Sequence, residues 1–286
     1  LSAYDNIELG FQFVINLFRS FDFSFFVFLL FVNVFLVLFW FLIMSHEIYD
    51  LSFSFWMYYS YIGLFYYGII TRASIAITIC LYALCFLINR KTVKAYFVYF
   101  FLISISLIFH QTMLVFYLFP CWIFKNIKTR YLICFLLLSC FIPYLNIQYY
   151  LLDFIYYVLS IFSFNRFDNY IQKAFFQPQD LLFTFFSIKI LIESFVLLYM
   201  RKYVLRCNLL KYNAFLNTYI LGFFLLILLG FFPSAGRLAL IFLFFEFFMF
   251  SILWDDMKTL KVNRTILIFF PILNFIVFLY RFPMFI

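Results

Sequence analysis

Long apolar runs separated by short polar turns make up most of this 286-residue chain. An apolar run of about 20 residues can cross a bilayer as an α-helix, because each helical residue advances about 1.5 Å. Counted in this way, the chain contains ten predicted spans, at residues 24–44, 51–71, 73–88, 95–109, 111–124, 131–145, 183–200, 212–231, 238–254 and 265–280. The pattern predicts an all-α, polytopic membrane protein with about ten transmembrane helices.

Two stretches depart from this pattern. Residues 7–20 place apolar side chains at helical spacing but keep a polar face, so we expect this helix to lie along the interface or to re-enter the membrane. Residues 146–182 mix polar and aromatic side chains over the longest segment without a span. A loop of this size is often a lid or a binding surface.

Composition agrees with a membrane protein. Hydrophobic residues make up 68% of the chain and charged residues 11%, against roughly 45–50% and 25% in soluble domains. Mean hydropathy is +1.09. The net charge of +8 comes from short basic clusters between apolar runs, which argues against a nucleic-acid partner and for the lipid bilayer. We expect one membrane-embedded domain over residues 1–286, with 146–182 as a loop within it.

No cofactor or metal site is indicated by the sequence. The six cysteines have no metal-type spacing and are most simply small apolar fillers. The motifs of nucleotide-binding loops and zinc proteases are also missing from the sequence. The chain opens on Leu1 without a basic, signal-like start, so we expect an N-terminal part of the natural protein to be missing.

The distribution of basic residues predicts the topology. Thirteen of the twenty Lys and Arg residues fall on one side of the membrane, within residues 90–94, 125–130, 201–211 and 258–264. The positive-inside rule assigns this side to the cytoplasm. Arg72, His110, Arg237 and the 146–182 loop then face outward. The turn at 46–50 has neither Lys nor Arg and is the weakest point of this assignment.

Three outward residues are candidates for chemistry. Arg72 and Arg237 each open a predicted span at the same face. A single arginine there would equally serve as a snorkelling anchor, but two of them favour phosphate binding, because guanidinium is always charged and bonds phosphate bidentately. His110 lies between two spans and is either a hydrogen-bonded helix-end residue or a proton acceptor.

Three charged residues fall within predicted spans. Lys189 and Glu193 lie four residues apart, and Glu246 lies near the middle of another span. Charges at membrane depth must face the bundle interior or water. We favour a structural charge network in which Glu246 is the third member. The tyrosines between residues 58 and 67 fit either sugar stacking or an interfacial belt.

The order of several short motifs resembles the EpsG/Wzy-like family of bacterial polysaccharide polymerases, which make O-antigen, capsule or exopolysaccharide. The motifs are Ile7-Glu8-Leu9-Gly10-Phe11, Thr71-Arg72-Ala73-Ser74-Ile75-Ala76, Ile108-Phe109-His110-Gln111-Thr112, Arg166-Phe167-Asp168-Asn169-Tyr170 and Gly236-Arg237. In this family an Arg opens one membrane helix and a His closes the next. The resemblance extends over nearly the whole chain.

The resemblance implies a glycosyltransferase-type polymerase with a GT-C-like architecture in the bacterial inner membrane. It would transfer a growing glycan from undecaprenyl pyrophosphate to a hydroxyl of the next lipid-linked repeat, at the periplasmic face and without a metal. Donor and acceptor lipids would be its partners, together with a chain-length regulator. Arg72 and Arg237 would bind the pyrophosphate, and His110 would be the base, with Glu8 next in line. Arg166, Asp168 and Tyr170 would contact glycan.

Two other functions remain open from the sequence. A flippase or transporter of lipid-linked sugars would also need outward arginines and a polar cavity, but it would be expected to show related halves, and the sequence has no internal repeat. A non-catalytic membrane subunit of a larger complex would need no site of its own.

Reporter fusions test the predicted topology. Fusions at Asn89 and Asn208 are expected to report a cytoplasmic location, and a fusion at Asn169 a periplasmic one, because the basic clusters lie on one side of the membrane. A cytoplasmic reading at Asn169 would place the supposed active face on the wrong side.

Overall fold

The computed structural model describes residues 9–47, 50–60, 71–123, 125–145, 147, 149–151, 153–154, 157, 184–229, 239 and 241–281. Every regular element within these ranges is a helix. The prediction of an all-α protein is confirmed for this part of the chain. The number of spans and the GT-C-like architecture stay predictions.

The helices follow the apolar runs of the sequence. Their bounds are α1 Leu9–Ser20, α2 Phe25–Glu47, α3 Leu51–Tyr58, α4 Thr71–Arg90, α5 Val93–Phe109, α6 Pro120–Ile123, α7 Thr129–Phe141, α8 Phe185–Met200, α9 Leu209–Leu229, α10 Phe245–Thr259 and α11 Thr265–Arg281. Helix α7 ends at Phe141, two residues before Pro143.

Three of the described helices are long and apolar enough to cross a membrane. They cover Phe25–Ile43, Ala73–Arg90 and Leu209–Leu229, with hydropathies of 2.9, 1.8 and 1.7. Shorter apolar helices cover Val93–Phe109, Thr129–Phe141 and Thr265–Leu279. These helices coincide with predicted spans and support a membrane protein.

The predicted span 111–124 does not form one continuous α-helix. Residues Gln111–Tyr117 form a 3₁₀ helix, and the short α6 begins only at Pro120. The 3₁₀ segment returns along α5, where the Tyr99 hydroxyl donates to the Phe116 carbonyl at 2.5 Å. Tyr117 and Ser104 also share a hydrogen bond between their hydroxyls. Proline lacks the N–H that would continue the preceding helix, so the segment is broken there.

The basic sequence at residues 90–94 forms the tight turn between α4 and α5. Lys91 adopts a left-handed conformation with φ of 43°, and its N–H donates to the Leu87 carbonyl at 3.1 Å. Thr92 then caps α5, because its side chain accepts from the Ala95 N–H at 3.2 Å. The two helices consequently run antiparallel and pack along their lengths.

The chain divides into two compact units, residues 1–122 with 250–286 and residues 123–249. In the first unit, α1, α2, α4 and α5 surround one hydrophobic cluster. Its buried members are Phe11, Phe28, Val32, Leu36 and Ile75, and Phe109 packs against them. Edge-to-face contacts of Phe28 with Phe11 and Phe18 tie α1 to α2.

Hydrogen bonds of Asp50 in the first unit join the start of α3 to α10, which is far away in sequence. Asp50 caps α3 by accepting from the Phe53 N–H at 3.1 Å, and its other oxygen accepts from Trp254 Nε1 at 2.9 Å. The Asp50 N–H donates to Asp255 Oδ2 at 3.1 Å. Partial burial raises the pKa of that Asp255 carboxyl. The Arg264 guanidinium lies 4.1 Å from the centre of the Trp254 ring. The start of α3 therefore lies beside the C-terminal part of α10.

In the second unit, α7, α8 and α9 pack against one another. Residues 125–130, here the first basic turn, lead into α7 and include its first two residues, and residues 201–211, the second basic turn, lead from α8 into the start of α9. Gly222 of α9 allows close packing, since an added Cβ would lie 2.7 Å from the Cβ of Phe242.

Candidate active site

The antiparallel pairing of α4 and α5 brings the predicted Arg72 and His110 positions to one end of the first unit. Arg72 is the second residue of α4, and His110 follows the last residue of α5. The structure places the backbone of Arg72 within the first helical turn, one residue before the start of the predicted span at residue 73. Its side chain lies outside the described structure. A residue in the first turn lies at the N-terminus of the helix, where unpaired N–H groups favour anions.

The start of α1 reaches the same end. Gly10 is buried against Ile108, and an added Cβ would lie 3.0 Å from both the Ile108 carbonyl oxygen and its Cγ2 atom. Phe11, Ile75 and Phe109 belong to the hydrophobic cluster described above. The N-termini of α1 and α4 and the C-terminus of α5 therefore converge. Glycine at position 10 is favoured by this close approach, since a Cβ there would be tightly packed against Ile108.

His110 lies at the bend between α5 and the 3₁₀ segment 111–117. Its backbone is extended, with φ of −158° and ψ of 114°, and its N–H donates to the Ser106 carbonyl at 2.9 Å. Its own carbonyl accepts from the Met113 N–H at 3.1 Å, which starts the 3₁₀ segment. The side chain is half-buried.

A buried ionic network lies in the second unit. Lys189 Nζ is 2.8 Å from Glu193 Oε2 and 2.8 Å from Glu246 Oε2. The Tyr219 hydroxyl donates to Glu193 Oε2 at 2.7 Å. All four residues are at most 4% exposed. The predicted charge network with Glu246 as third member is confirmed.

Tyr219 is the fourth member of this network, and its part in it was not predicted from the sequence. The signal available was the polar run Asn217-Thr218-Tyr219 in an otherwise apolar span. Glu193 Oε1 is buried and has no hydrogen-bond partner within the described part of the chain. Among the described residues, one ammonium thus faces two carboxyl groups.

Comparison with known proteins decides the family. The sequence model of the EpsG family matches residues 1–285. The chain belongs to the EpsG family. No curated protein and no solved structure matches it. EpsG membership together with the apolar helices indicates a membrane protein with a polymerase-type function in exopolysaccharide production.

Several of the residues assigned to the EpsG-type site cannot be placed. Glu8, Arg166, Asp168, Tyr170 and Arg237 lie outside the described residues. Their roles stay predictions, as do those of Arg72 and His110. What the structure adds is the convergence of three helix ends beside two of these sequence motifs.

No metal centre is formed within the described ranges. No three His, Cys, Asp or Glu side chains come together there in a way that could hold a metal ion. The sequence expectation of a metal-independent reaction is not tested by this finding.

Replacing Gly10 by alanine tests the convergence. The new methyl group would press on the Ile108 carbonyl, which belongs to the backbone and cannot rotate away. We expect a loss of about 1–3 kcal/mol in the free energy of unfolding and shorter glycan chains in cells. Thermal unfolding in detergent and gel analysis of glycan length measure the two effects.

Ser20→Ala at the other end of α1 is the matched control. It removes only an exposed bond from the Ser20 hydroxyl to the Leu17 carbonyl, so it should behave as wild type. Equal behaviour of Gly10→Ala and wild type would contradict the close packing.

Substitutions in the buried network test its charge balance. Lys189→Met leaves two carboxylates without a cation in an apolar bundle, and we expect a loss of about 3–5 kcal/mol in the free energy of unfolding. Glu246→Gln keeps the bond between Lys189 and Glu193 and should cost less. Thermal unfolding midpoints of the purified proteins measure the difference.

The uncharged triple variant Lys189→Met, Glu193→Gln, Glu246→Gln separates charge from packing. If unpaired charge causes the loss, the triple variant is more stable than Lys189→Met alone. If it is less stable, the network stabilises the bundle through packing and not through charge pairing.

Proposed function

We propose that this EpsG-family protein polymerises undecaprenyl-pyrophosphate-linked oligosaccharide repeat units at the periplasmic face of the bacterial inner membrane. The observation that carries the proposal is the convergence of α1, α4 and α5 at the end that holds the Arg72 backbone and His110. The EpsG match over residues 1–285 supports the reaction class.

The proposed reaction is a glycosyl transfer. The bond between the anomeric carbon of the growing glycan and the pyrophosphate oxygen breaks, and its electron pair leaves with the diphosphate. A hydroxyl oxygen of the next lipid-linked repeat forms the new glycosidic bond, and its proton passes to a base. A departing diphosphate needs fixed positive charge, and the attacking hydroxyl needs an acceptor within hydrogen-bond reach.

The residues proposed for these roles follow from their positions and chemistry. Arg72 begins α4 at the converging end, where guanidinium and the unpaired N–H groups of the helix would both act on phosphate. Arg237 is proposed as the second cation. His110 is proposed as the base that receives the hydroxyl proton. Glu8 directly precedes Leu9 of α1 in sequence and is the next candidate for that role.

The proposed ten-span topology also has structural support. Arg201 bonds the first basic turn, so two of the turns assigned to the cytoplasm lie side by side. The Asp50 side chain accepts from Trp254 Nε1, so the start of α3, which follows the weakest point of the assignment, lies beside the last turns of α10, just before the basic residues 258–264. The 3₁₀ segment returns along α5, which leaves His110 at the opposite end from the α4–α5 turn.

Conservative substitutions distinguish a pyrophosphate site from membrane anchors. Arg72→Lys and Arg237→Lys keep a positive charge but lose the planar fork, and each should reduce polymerisation by about 10²- to 10³-fold. His110→Ala should remove the base and reduce it comparably. Glycan length in cells at matched protein levels measures the effect. Arg90→Lys, at the other end of α4, is the control and should leave glycan length unchanged.

A simple anchoring role gives a different result. Lysine also snorkels, so wild-type glycan lengths in both Arg→Lys variants would refute the pyrophosphate site. Polymerisation of purified lipid-linked repeats by the purified protein separates an enzyme from a flippase or a non-catalytic subunit, since neither of these would form longer glycans.

Deletion of residues 160–175 tests the proposed role of the 146–182 loop. The segment contains Arg166, Asp168 and Tyr170, which are proposed to contact glycan. We expect elongation to stop while the protein still accumulates in the membrane. Normal glycan length after the deletion would show that the loop is dispensable for the reaction.

A further inference from the structure

Arg201 holds the two basic turns of the second unit together. Its Nη1 atom donates to Thr129 Oγ1 at 3.1 Å and to the Ile127 carbonyl at 3.4 Å, and its Nη2 atom donates to Asn126 Oδ1 at 3.5 Å. Asn217 Nδ2 also donates to the carbonyl of Lys125, in the first basic turn, at 2.8 Å. Two turns separated by about seventy residues in sequence are thereby fixed side by side.

The joined turns form one cationic surface, here called the basic patch. Its members are Lys125, Lys128, Arg130, Arg201, Lys202, Arg206 and Lys211. All of them except Arg201 and Lys211 are exposed. Neither turn contains an acidic residue. Like charges gathered on one surface repel one another, so an anion bound at this surface lowers the free energy of the folded protein.

Tyrosine rings border the basic patch. Lys202 Nζ lies 3.8 Å from the centre of the Tyr199 ring and 4.9 Å from that of Tyr203, and the Arg130 guanidinium lies 4.8 Å from the Tyr131 ring. The hydrogen bond with Tyr199 raises the pKa of Lys202. Exposed tyrosines beside cations are typical of the level where lipid headgroups meet acyl chains.

Three apolar helices begin or end at the basic patch. Helix α7 begins at Thr129, α8 ends at Met200 and α9 begins at Leu209. A ligand bound there would meet phosphate-binding cations and apolar helix surfaces together. This combination fits a phospholipid better than a nucleic acid or an acidic protein, which would gain nothing from the apolar helices.

We propose that the basic patch is a binding site for the headgroup of an anionic phospholipid of the cytoplasmic leaflet. The cations bind the lipid phosphate, and the tyrosines and helix ends contact the start of its acyl chains. A headgroup with two phosphates would engage both basic turns at once and bind more tightly than one with a single phosphate. This site lies outside the proposed reaction and does not depend on it.

Lipid binding to the purified full-length protein tests the proposal. In a neutral detergent, we expect cardiolipin to raise the unfolding temperature most, phosphatidylglycerol less, and phosphatidylcholine not at all. The variants Lys125→Gln with Lys128→Gln, and Lys202→Gln with Arg206→Gln, should each weaken cardiolipin binding by about fivefold per cation removed. Native mass spectrometry counts the bound lipids independently of stability.

Lys258→Gln with Lys261→Gln is the matched control, since it removes two exposed cations from a different basic turn. It should bind cardiolipin as wild type does. Equal losses in the control, or equal stabilisation by phosphatidylcholine, would overturn the proposal. Stabilisation by inorganic pyrophosphate alone, to the same degree as by cardiolipin, would identify a free-phosphate site and also overturn it.

Discussion

The hydrocarbon of a bilayer offers no hydrogen bonds, and this constraint accounts for the organisation of the chain. Backbone groups pair within helices, and charged side chains are favoured at helix ends or in interior contacts with opposite charges. Both solutions occur in the described structure. His110 closes α5 at the converging end of the first unit, and Lys189 is paired with two carboxylates inside the second. Chemistry in such a protein is therefore concentrated where helices begin and end.

Helix positions were largely predictable, because periodicity and length report burial in lipid directly. Residues 24–44, 95–109 and 183–200 all form helices close to the expected bounds. The 3₁₀ segment after His110 was not predictable, since its apolar composition is the same as that of an α-helical span. Its form depends on hydrogen bonds with Tyr99 and Ser104, which are tertiary contacts. The contact of Gly10 with Ile108 could not be predicted either, because it is also a tertiary contact.

The candidate site was only partly predictable. A lone Arg or His at a helix end has the same sequence signal whether it anchors or reacts, so the resemblance to a family had to select among them. The buried network was easier, because a Lys and two Glu at membrane depth require partners. Even there, the part of Tyr219 was not predicted, because tyrosine is common in apolar spans. Its bond to Glu193 depends on how α8 packs against α9, which the sequence does not show.

The 3₁₀ segment also affects how His110 is held. Each 3₁₀ residue advances about 2.0 Å, compared with about 1.5 Å in an α-helix, so residues 111–117 reach farther along α5 than seven α-helical residues would. Hydrogen bonds at Phe116 and Tyr117 tether the far end of this segment to α5. The histidine backbone is thus restrained from both directions along the chain, and its conformational entropy is lost during folding.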